Sequence, residues 1–243
     1  MTHEAQRRAS TQIAEYGWKA GLEGGMVATA VNLSPLPPEV FDAIGPYVHA
    51  CKMMGSMASQ ILGHTPKSLK VELAGGLADA DPAPLLAAVL DGGLSYRRLG
   101  AFSAANAESV ASQHGISVTT ASVRDAGEYA SSVRIVADEV EVAATLFGTE
   151  HTPRIISLMG YKIDIAPATT SLVFEYVDAP GRIGVIGTIL GDAAANITTM
   201  QIGTKPEESC ALVYMNVEGD VSEAVLDRLR GAIDLRNLWK ITL

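Results

Sequence analysis

A chain of 243 residues can form one large domain or two small ones, each with its own hydrophobic core. Hydrophobic residues make up 48% and charged residues 19%, which excludes a disordered chain, and no stretch is long and apolar enough to span a membrane. The formal charge is −9 and the 18 Lys and Arg residues are dispersed, which disfavours binding to nucleic-acid phosphates. No apolar segment follows Arg7 and Arg8, so neither a signal peptide nor an anchor is predicted and we expect a cytoplasmic protein.

The sequence contains no recognisable catalytic or metal-binding signature. Cys51 and Cys210 are far apart and are predicted to be buried, reduced thiols. The five histidines do not recur at the spacing of metal ligands on a helix, so no metal site is predicted. No Gly-x-Gly-x-x-Gly fingerprint, nucleophile elbow or Walker loop occurs.

The periodicity up to residue 168 predicts an α+β fold. A helix capped by Thr2 and a short strand over 26–33 precede a proline-rich segment, 35–38, which we interpret as the first boundary. Beyond it we predict helices and short strands in mixed order, as in a half-buried antiparallel or mixed sheet. The helices are predicted at 39–62, 82–90 and 103–114, and the strands at 68–73, 116–120, 133–137, 140–147, 154–158 and 161–165.

After a second boundary at 166–169, the order β-α-β-β-α-β is predicted, which is typical of ferredoxin-like domains. The turn 178–181 leads from the first strand into a helix over 182–193. The remaining elements are strands at 196–202, 210–217 and 238–243 and a helix at 221–233.

Three runs near the end of the chain resemble the ACT domain of long-form D-3-phosphoglycerate dehydrogenases: YVDAPGRIG at 176–184, IGTILG at 186–191 and NI at 196–197. Upstream, RII at 154–156 and GYKID at 160–164 are similar to the end of the intervening, allosteric substrate-binding domain of those enzymes. THEAQ at 2–6 resembles the stretch after their catalytic histidine motif. The resemblance implies a remnant of the catalytic half at 1–34, an intervening domain at 35–168 and an ACT domain at 169–243.

The resemblance further implies a regulatory, amino-acid-sensing part of a serine-biosynthesis enzyme. The NAD-binding catalytic half would be absent, so we expect no cofactor and no activity from this chain alone. Two alternatives remain open: a subunit related to iron–sulfur L-serine dehydratase, and a purely structural dimerisation module. The dehydratase alternative is disfavoured because the Ser-Ser-Ser-His-Thr-like motif of that family is missing from residues 41–50.

An effector site for L-serine or a similar small amino acid is predicted at the turn before the helix at 182–193. Its carboxylate would accept hydrogen bonds from the backbone N–H groups of Gly181, Arg182 and Ile183 at a helix N-terminus. Asp178 would bind the ammonium group, and Asn196 would complete the site from the start of the next strand. With the residues that the resemblance adds, the predicted set is Tyr176, Asp178, Pro180, Gly181, Arg182, Ile183 and Asn196.

Two further expectations concern the middle domain and assembly. Arg154 and Lys162 could form an anion site, joined by Arg97, Arg98 or Arg134. An unpaired edge strand of the last domain should pair side by side with a second copy, with hinges at 166–170 and 35–38. No nucleic-acid or membrane partner is expected.

Overall fold

The first described element is a long helix, α1 (Pro38–Leu62), which ends at Gly63 as predicted. The computed structural model of the chain describes residues 38–95 and 106–243. The predicted domain at 1–34, most of the segment 35–38, Arg97 and Arg98 lie outside the described residues.

A six-stranded mixed sheet and two further helices follow α1 among the described residues up to 165. The elements are β1 (Ser68–Gly75), α2 (Ala83–Ser95), α3 (Ala107–Gln113), β2 (Ser117–Val123), β3 (Ser131–Ala137), β4 (Val140–Phe147), β5 (Thr152–Leu158) and β6 (Tyr161–Ile165). The strand order is β2-β1-β3-β4-β5-β6, with β1 and β2 parallel and every other neighbouring pair antiparallel, which confirms the predicted mixed sheet.

The hairpin between β3 and β4 is fixed by Asp138. Its backbone is left-handed, with φ of 49°. Its carboxylate accepts hydrogen bonds from the backbone N–H groups of Lys67 at 3.0 Å and Ser68 at 2.9 Å, and so ties the turn to the start of β1. This is the turn that the dipeptide Asp138-Glu139 predicts.

Helices α1 and α2 pack through glycine on one face of this sheet. A Cβ at Gly55 would lie 2.0 Å from the carbonyl oxygen of Val89, and one at Gly92 would lie 1.9 Å from that of Lys52. The two backbones are therefore in direct contact, and only glycine fits at either position.

The second sheet has the predicted βαββαβ order and the ferredoxin-like strand order β10-β7-β9-β8, antiparallel throughout. Its elements are β7 (Thr170–Val177), α4 (Arg182–Asp192), β8 (Asn196–Lys205), β9 (Cys210–Glu218), α5 (Glu223–Ala232) and β10 (Leu235–Thr242). A short 3-10 turn, Pro206–Glu208, joins β8 to β9.

Both faces of the second sheet are covered. Val213 and Met215 of β9 belong to the core beneath α4 and α5, whereas Leu212 and Tyr214 belong to the core shared with the first sheet. Every residue of β9 except Glu218 is buried for this reason. Cys210 lies in the shared core and Cys51 in α1, and both are buried, unpaired thiols, as predicted.

The glycines of α4 have open space around them. Their helical spacing predicts close helix packing, but a Cβ added to Gly184, Gly187 or Gly191 would meet nothing within 4 Å among the described residues. Among the described residues, no helix is long and apolar enough to cross a membrane.

Candidate functional site

The turn between β7 and α4 has the backbone conformation that the predicted effector site requires. Gly181 caps α4 with a left-handed φ of 88°, and a Cβ there would meet no atom within 4 Å. The glycine is therefore needed for its conformation and leaves open space in front of the helix. The Asp178 N–H donates to the Ser209 carbonyl at 3.0 Å, which anchors the turn to the start of β9.

Two of the three predicted backbone donors remain available. The Arg182 N–H donates to the carbonyl of Ala179 in a long, weak bond of 3.4 Å. The N–H groups of Gly181 and Ile183 make no hydrogen bond within the described residues. An anion at this turn would therefore be held chiefly by these two groups and by the N-terminal dipole of α4.

The side chain of Arg182 has a structural partner. Its guanidinium pairs with the carboxylate of Asp234, just before β10, and Val177 donates its N–H to the Asp234 carbonyl at 3.2 Å. The Nε of Arg182 is buried and has no partner among the described residues. Arg182 thus ties the start of α4 to the segment before β10, the strand that neighbours β7.

Tyr176 and Ile183 contribute apolar support. Tyr176 is 2% exposed and lies in the core beneath the helices, where burial and, to a smaller extent, the charge of Asp178 raise its pKa. Ile183 is half-buried against the same core. Asp178 itself is exposed at the end of β7, where its carboxylate can reach a ligand in solution.

Asn196 lies at the opposite end of the sheet from the turn, which corrects the predicted arrangement. Val177 pairs with Cys210, and Cys210 pairs with Lys205 at the end of β8. Asn196 pairs instead with Glu218. It lies nine residues before Lys205 on β8, so the two residues are about 30 Å apart at the rise of an extended strand. The intervening helix α4 runs back across the sheet before β8 begins, so one chain alone cannot bring Asn196 to the turn.

The two edges of the second sheet differ in how they are covered. At β10, the side-chain amide of Gln60 donates to the carbonyl of Thr242 at 2.8 Å and accepts from its N–H at 2.9 Å. The Trp239 indole N–H donates to the carbonyl of Ile61 at 3.1 Å. No described strand pairs with the outer edge of β8. The edge available to a second copy is therefore β8.

The predicted anion site of the middle domain is only partly assembled. Arg154 is paired with Asp164 and stacks on the Phe147 ring, with its guanidinium carbon 5.6 Å from the centroid. Lys162 and Arg134 line a groove of about 600 Å³ on the outer face of the first sheet.

The charges in this groove are unevenly matched. Arg134 lies 3.6 Å from Glu141 and 4.0 Å from Glu72, measured from its Nε to the nearest carboxylate oxygens. The ammonium of Lys162 makes no hydrogen bond or ion pair within the described residues. One unmatched cation is a weak basis for anion binding. In the described ranges no group of three His, Cys, Asp or Glu residues could hold a metal ion.

One polar cluster at the junction of the sheets was not predicted. The Tyr161 hydroxyl donates to Glu175 at 2.9 Å, and the Asn237 side-chain amide donates to the other oxygen of Glu175 at 2.7 Å. The Lys205 ammonium lies 4.2 Å from the centroid of the Tyr161 ring. The alternation of apolar residues marks Tyr161 as buried, but no signal in the sequence identifies a partner in another sheet.

Comparison with known proteins assigns a family to the first unit of the chain, the six-stranded sheet and its helices. The second unit is the four-stranded sheet with α4 and α5. Residues 43–159 match the D-3-phosphoglycerate dehydrogenase intervening domain. This segment belongs to that family. The six-stranded sheet and its helices are therefore the fold of the intervening domain, and the match ends within the hairpin between β5 and β6.

The similarity to D-3-phosphoglycerate dehydrogenases extends over the whole chain. Those of Mycobacterium leprae and Mycobacterium tuberculosis are 31% and 29% identical over 247 residues, and that of Bacillus subtilis is 27% identical over 245 residues. Each alignment covers 100% of this chain and 46% of the relative. The chain thus spans about half the length of these relatives and corresponds to their carboxyl-terminal half, which confirms the resemblance.

Proposed function

We propose that this chain is the regulatory, amino-acid-sensing part of a D-3-phosphoglycerate dehydrogenase of serine biosynthesis, and that its ferredoxin-like unit is an ACT domain. The observation that carries the proposal is the turn at Gly181, where two backbone N–H groups without a partner among the described residues and open space follow the exposed Asp178. The similarity to D-3-phosphoglycerate dehydrogenases supports the pathway. L-serine is the proposed effector because it is the product of that pathway.

The chemistry of the turn suits a zwitterion. The serine carboxylate would accept hydrogen bonds from Gly181 and Ile183 N–H, where the helix dipole favours negative charge. The serine ammonium would pair with Asp178, three residues before Gly181. Pro180 offers no N–H to compete for the ligand and fixes its own φ, which helps to hold the turn open before binding.

A second copy of the chain would complete the site. If β8 pairs antiparallel with the β8 of another copy about a twofold axis near Gln201, Asn196 of the second copy lies opposite Lys205. Lys205 is in the same row of the sheet as Val177, two strand spacings away, so Asn196 of the second copy would lie three spacings, about 14 Å, from Val177. Such a dimer would bring Asn196 to the end of the sheet that holds the turn, where its amide could bind the serine hydroxyl or carboxylate.

Isothermal titration of the chain with L-serine tests the proposal. We expect saturable binding that weakens at least tenfold in Asp178→Asn, because the ammonium loses its charged partner. Glu139→Gln is the matched control, since it removes the same charge from an exposed position in the turn between β3 and β4 of the first sheet and should bind serine normally.

The titration also separates the competing functions. Absence of heat and of a thermal shift at millimolar L-serine in a dimeric protein would reject the effector site and favour a structural dimerisation module. The chain alone is expected not to reduce NAD with 3-phosphoglycerate, and turnover in that assay would contradict the proposed division between regulatory and catalytic parts.

A further inference from the structure

The two units meet in a buried, close-packed junction. Tyr161 is fully buried although it lies in β6, the last strand of the first sheet. A Cβ at Gly203 of β8 would lie 2.7 Å from the Lys162 carbonyl oxygen and 3.0 Å from the Tyr161 Cβ. The second sheet therefore lies directly against the edge of the first, with no room for a side chain at Gly203.

A hydrogen bond crosses this junction at Tyr161. Its hydroxyl donates to the Glu175 carboxylate, whose other oxygen is held by Asn237 of β10. Glu175 lies on β7, three residues before Asp178. The Tyr161 hydroxyl is therefore hydrogen-bonded to the strand that leads into the proposed effector turn. A hydrogen bond to a charged, half-buried group contributes more than a neutral one.

The connection between the units is also held in place. The Asn216 side-chain amide donates to the carbonyl of Ala166 at 2.8 Å, and the Ser171 hydroxyl donates to the Asn216 side-chain oxygen at 2.9 Å. Further along, the Leu243 N–H donates to the carbonyl of Thr169 at 3.0 Å. The bond from Asn216 to Ala166 disagrees with the hinge expected at 166–170, because it would break if the units rotated about that segment.

We propose that Tyr161 couples the two units, so that they unfold as one cooperative body and a ligand bound at the turn after β7 stabilises the first sheet as well as the second. One route of the coupling runs from β7 through Glu175 and Tyr161 to β6, and a second joins α1 to β10 through Gln60 and Trp239. The coupling does not depend on the identity of the ligand, and the first half of the proposal can be tested without any ligand.

Native-state hydrogen exchange of the full chain tests the coupling. In the unmodified protein, the slowest amides of β3 and β4 and those of β7 and β9 should exchange with the same opening free energy. In Tyr161→Phe, which removes only the hydroxyl, the two sets should separate by about tenfold or more in protection, the loss expected for a hydrogen bond to a charged group.

Tyr47→Phe is the matched control. The Tyr47 hydroxyl is also largely buried and donates to the Ser131 carbonyl at 3.2 Å, but both residues belong to the first unit. This variant should lower the protection of both sets equally. The proposal is overturned if the two sets already differ in the unmodified protein, or if Tyr161→Phe behaves like Tyr47→Phe. The comparison within the unmodified protein holds even if a variant fails to fold.

L-serine provides the second half of the test. Added to the unmodified protein, it should slow exchange in both sets, and in Tyr161→Phe only in β7 and β9. Serine that binds but protects the second sheet alone would contradict the coupling. Serine that does not bind at all would reject the effector site of the proposed function and leave the ligand-free comparison intact.

Discussion

Helices α1 and α2 and helix α4 use glycine in opposite ways. Between α1 and α2, Gly55 and Gly92 let two backbones touch, and an added Cβ would lie about 2 Å from a carbonyl oxygen. Along α4, Gly184, Gly187 and Gly191 meet open space. Each helical glycine lowers helix stability by about 1 kcal/mol relative to alanine. Within one chain, that loss is offset by close packing in the first case only.

The difference shows that the spacing of glycines does not reveal their role. Three glycines at helical spacing in α4 and the pair Gly92-Gly93 in α2 both suggest a close-packed face. What distinguishes them is the element that faces the glycines, which is α1 for α2 and, within the described chain, is missing for α4. Substitution by alanine is the direct test because it adds only the Cβ.

Gly92→Ala should have the largest effect. The new methyl group would overlap the carbonyl of Lys52 and force α1 and α2 apart, which lowers the free energy of unfolding by about 3 kcal/mol or more. Urea denaturation followed by circular dichroism measures this loss. Gly231→Ala in α5, where a Cβ meets nothing within 4 Å, is the control and should not lower stability. A stable Gly92→Ala protein would mean that the two helices are not in backbone contact.

Gly181→Ala should have an intermediate effect. Space is open around Gly181, so the cost comes from its left-handed backbone alone, about 1 to 2 kcal/mol for a residue with a Cβ. Gly181→Asn should recover part of that loss, because asparagine tolerates this conformation better. The same urea experiment distinguishes the two variants, and an alanine variant as stable as the original would argue against a left-handed residue at this turn.

Local patterns in the sequence predicted most elements of both sheets. The bounds of β4 and β6 match, because alternating apolar residues and turn residues specify them locally. Contacts between distant residues were not predictable in this way. The pair formed by Arg182 and Asp234 spans 52 residues, and the bond from Tyr161 to Glu175 joins two sheets.

The candidate site was predicted in composition but not in arrangement. The turn at Gly181 has the expected glycine conformation because the dipeptide Pro180-Gly181 specifies it locally. The location of Asn196 depends on the path of α4 and on strand pairing, neither of which can be read from the residues of the motif. Sequence order alone suggested that Asn196 follows the turn closely, whereas the register of β8 places it at the other end of the sheet.

Gly187→Ala should have the smallest effect on the isolated chain, and its sign is opposite to that of Gly92→Ala. Because nothing lies within 4 Å of the added Cβ, the variant should gain up to about 1 kcal/mol from helix propensity. Denaturation at a protein concentration where the chain is monomeric measures this gain. A loss of stability under that condition would mean that the glycine face of α4 is packed within its own chain.

The same variant sharpens the comparison at higher concentration. If β8 pairs with a second copy, α4 lies beside the open edge of the sheet, and its glycines would face the α4 of that copy. The added methyl group would then weaken the dimer while stabilising the monomer, so Gly187→Ala should raise the dissociation constant in sedimentation equilibrium. An unchanged dissociation constant would show that the glycines of α4 do not contribute to the dimer. In that case, unlike Gly92, they would serve close packing neither within the chain nor between two copies.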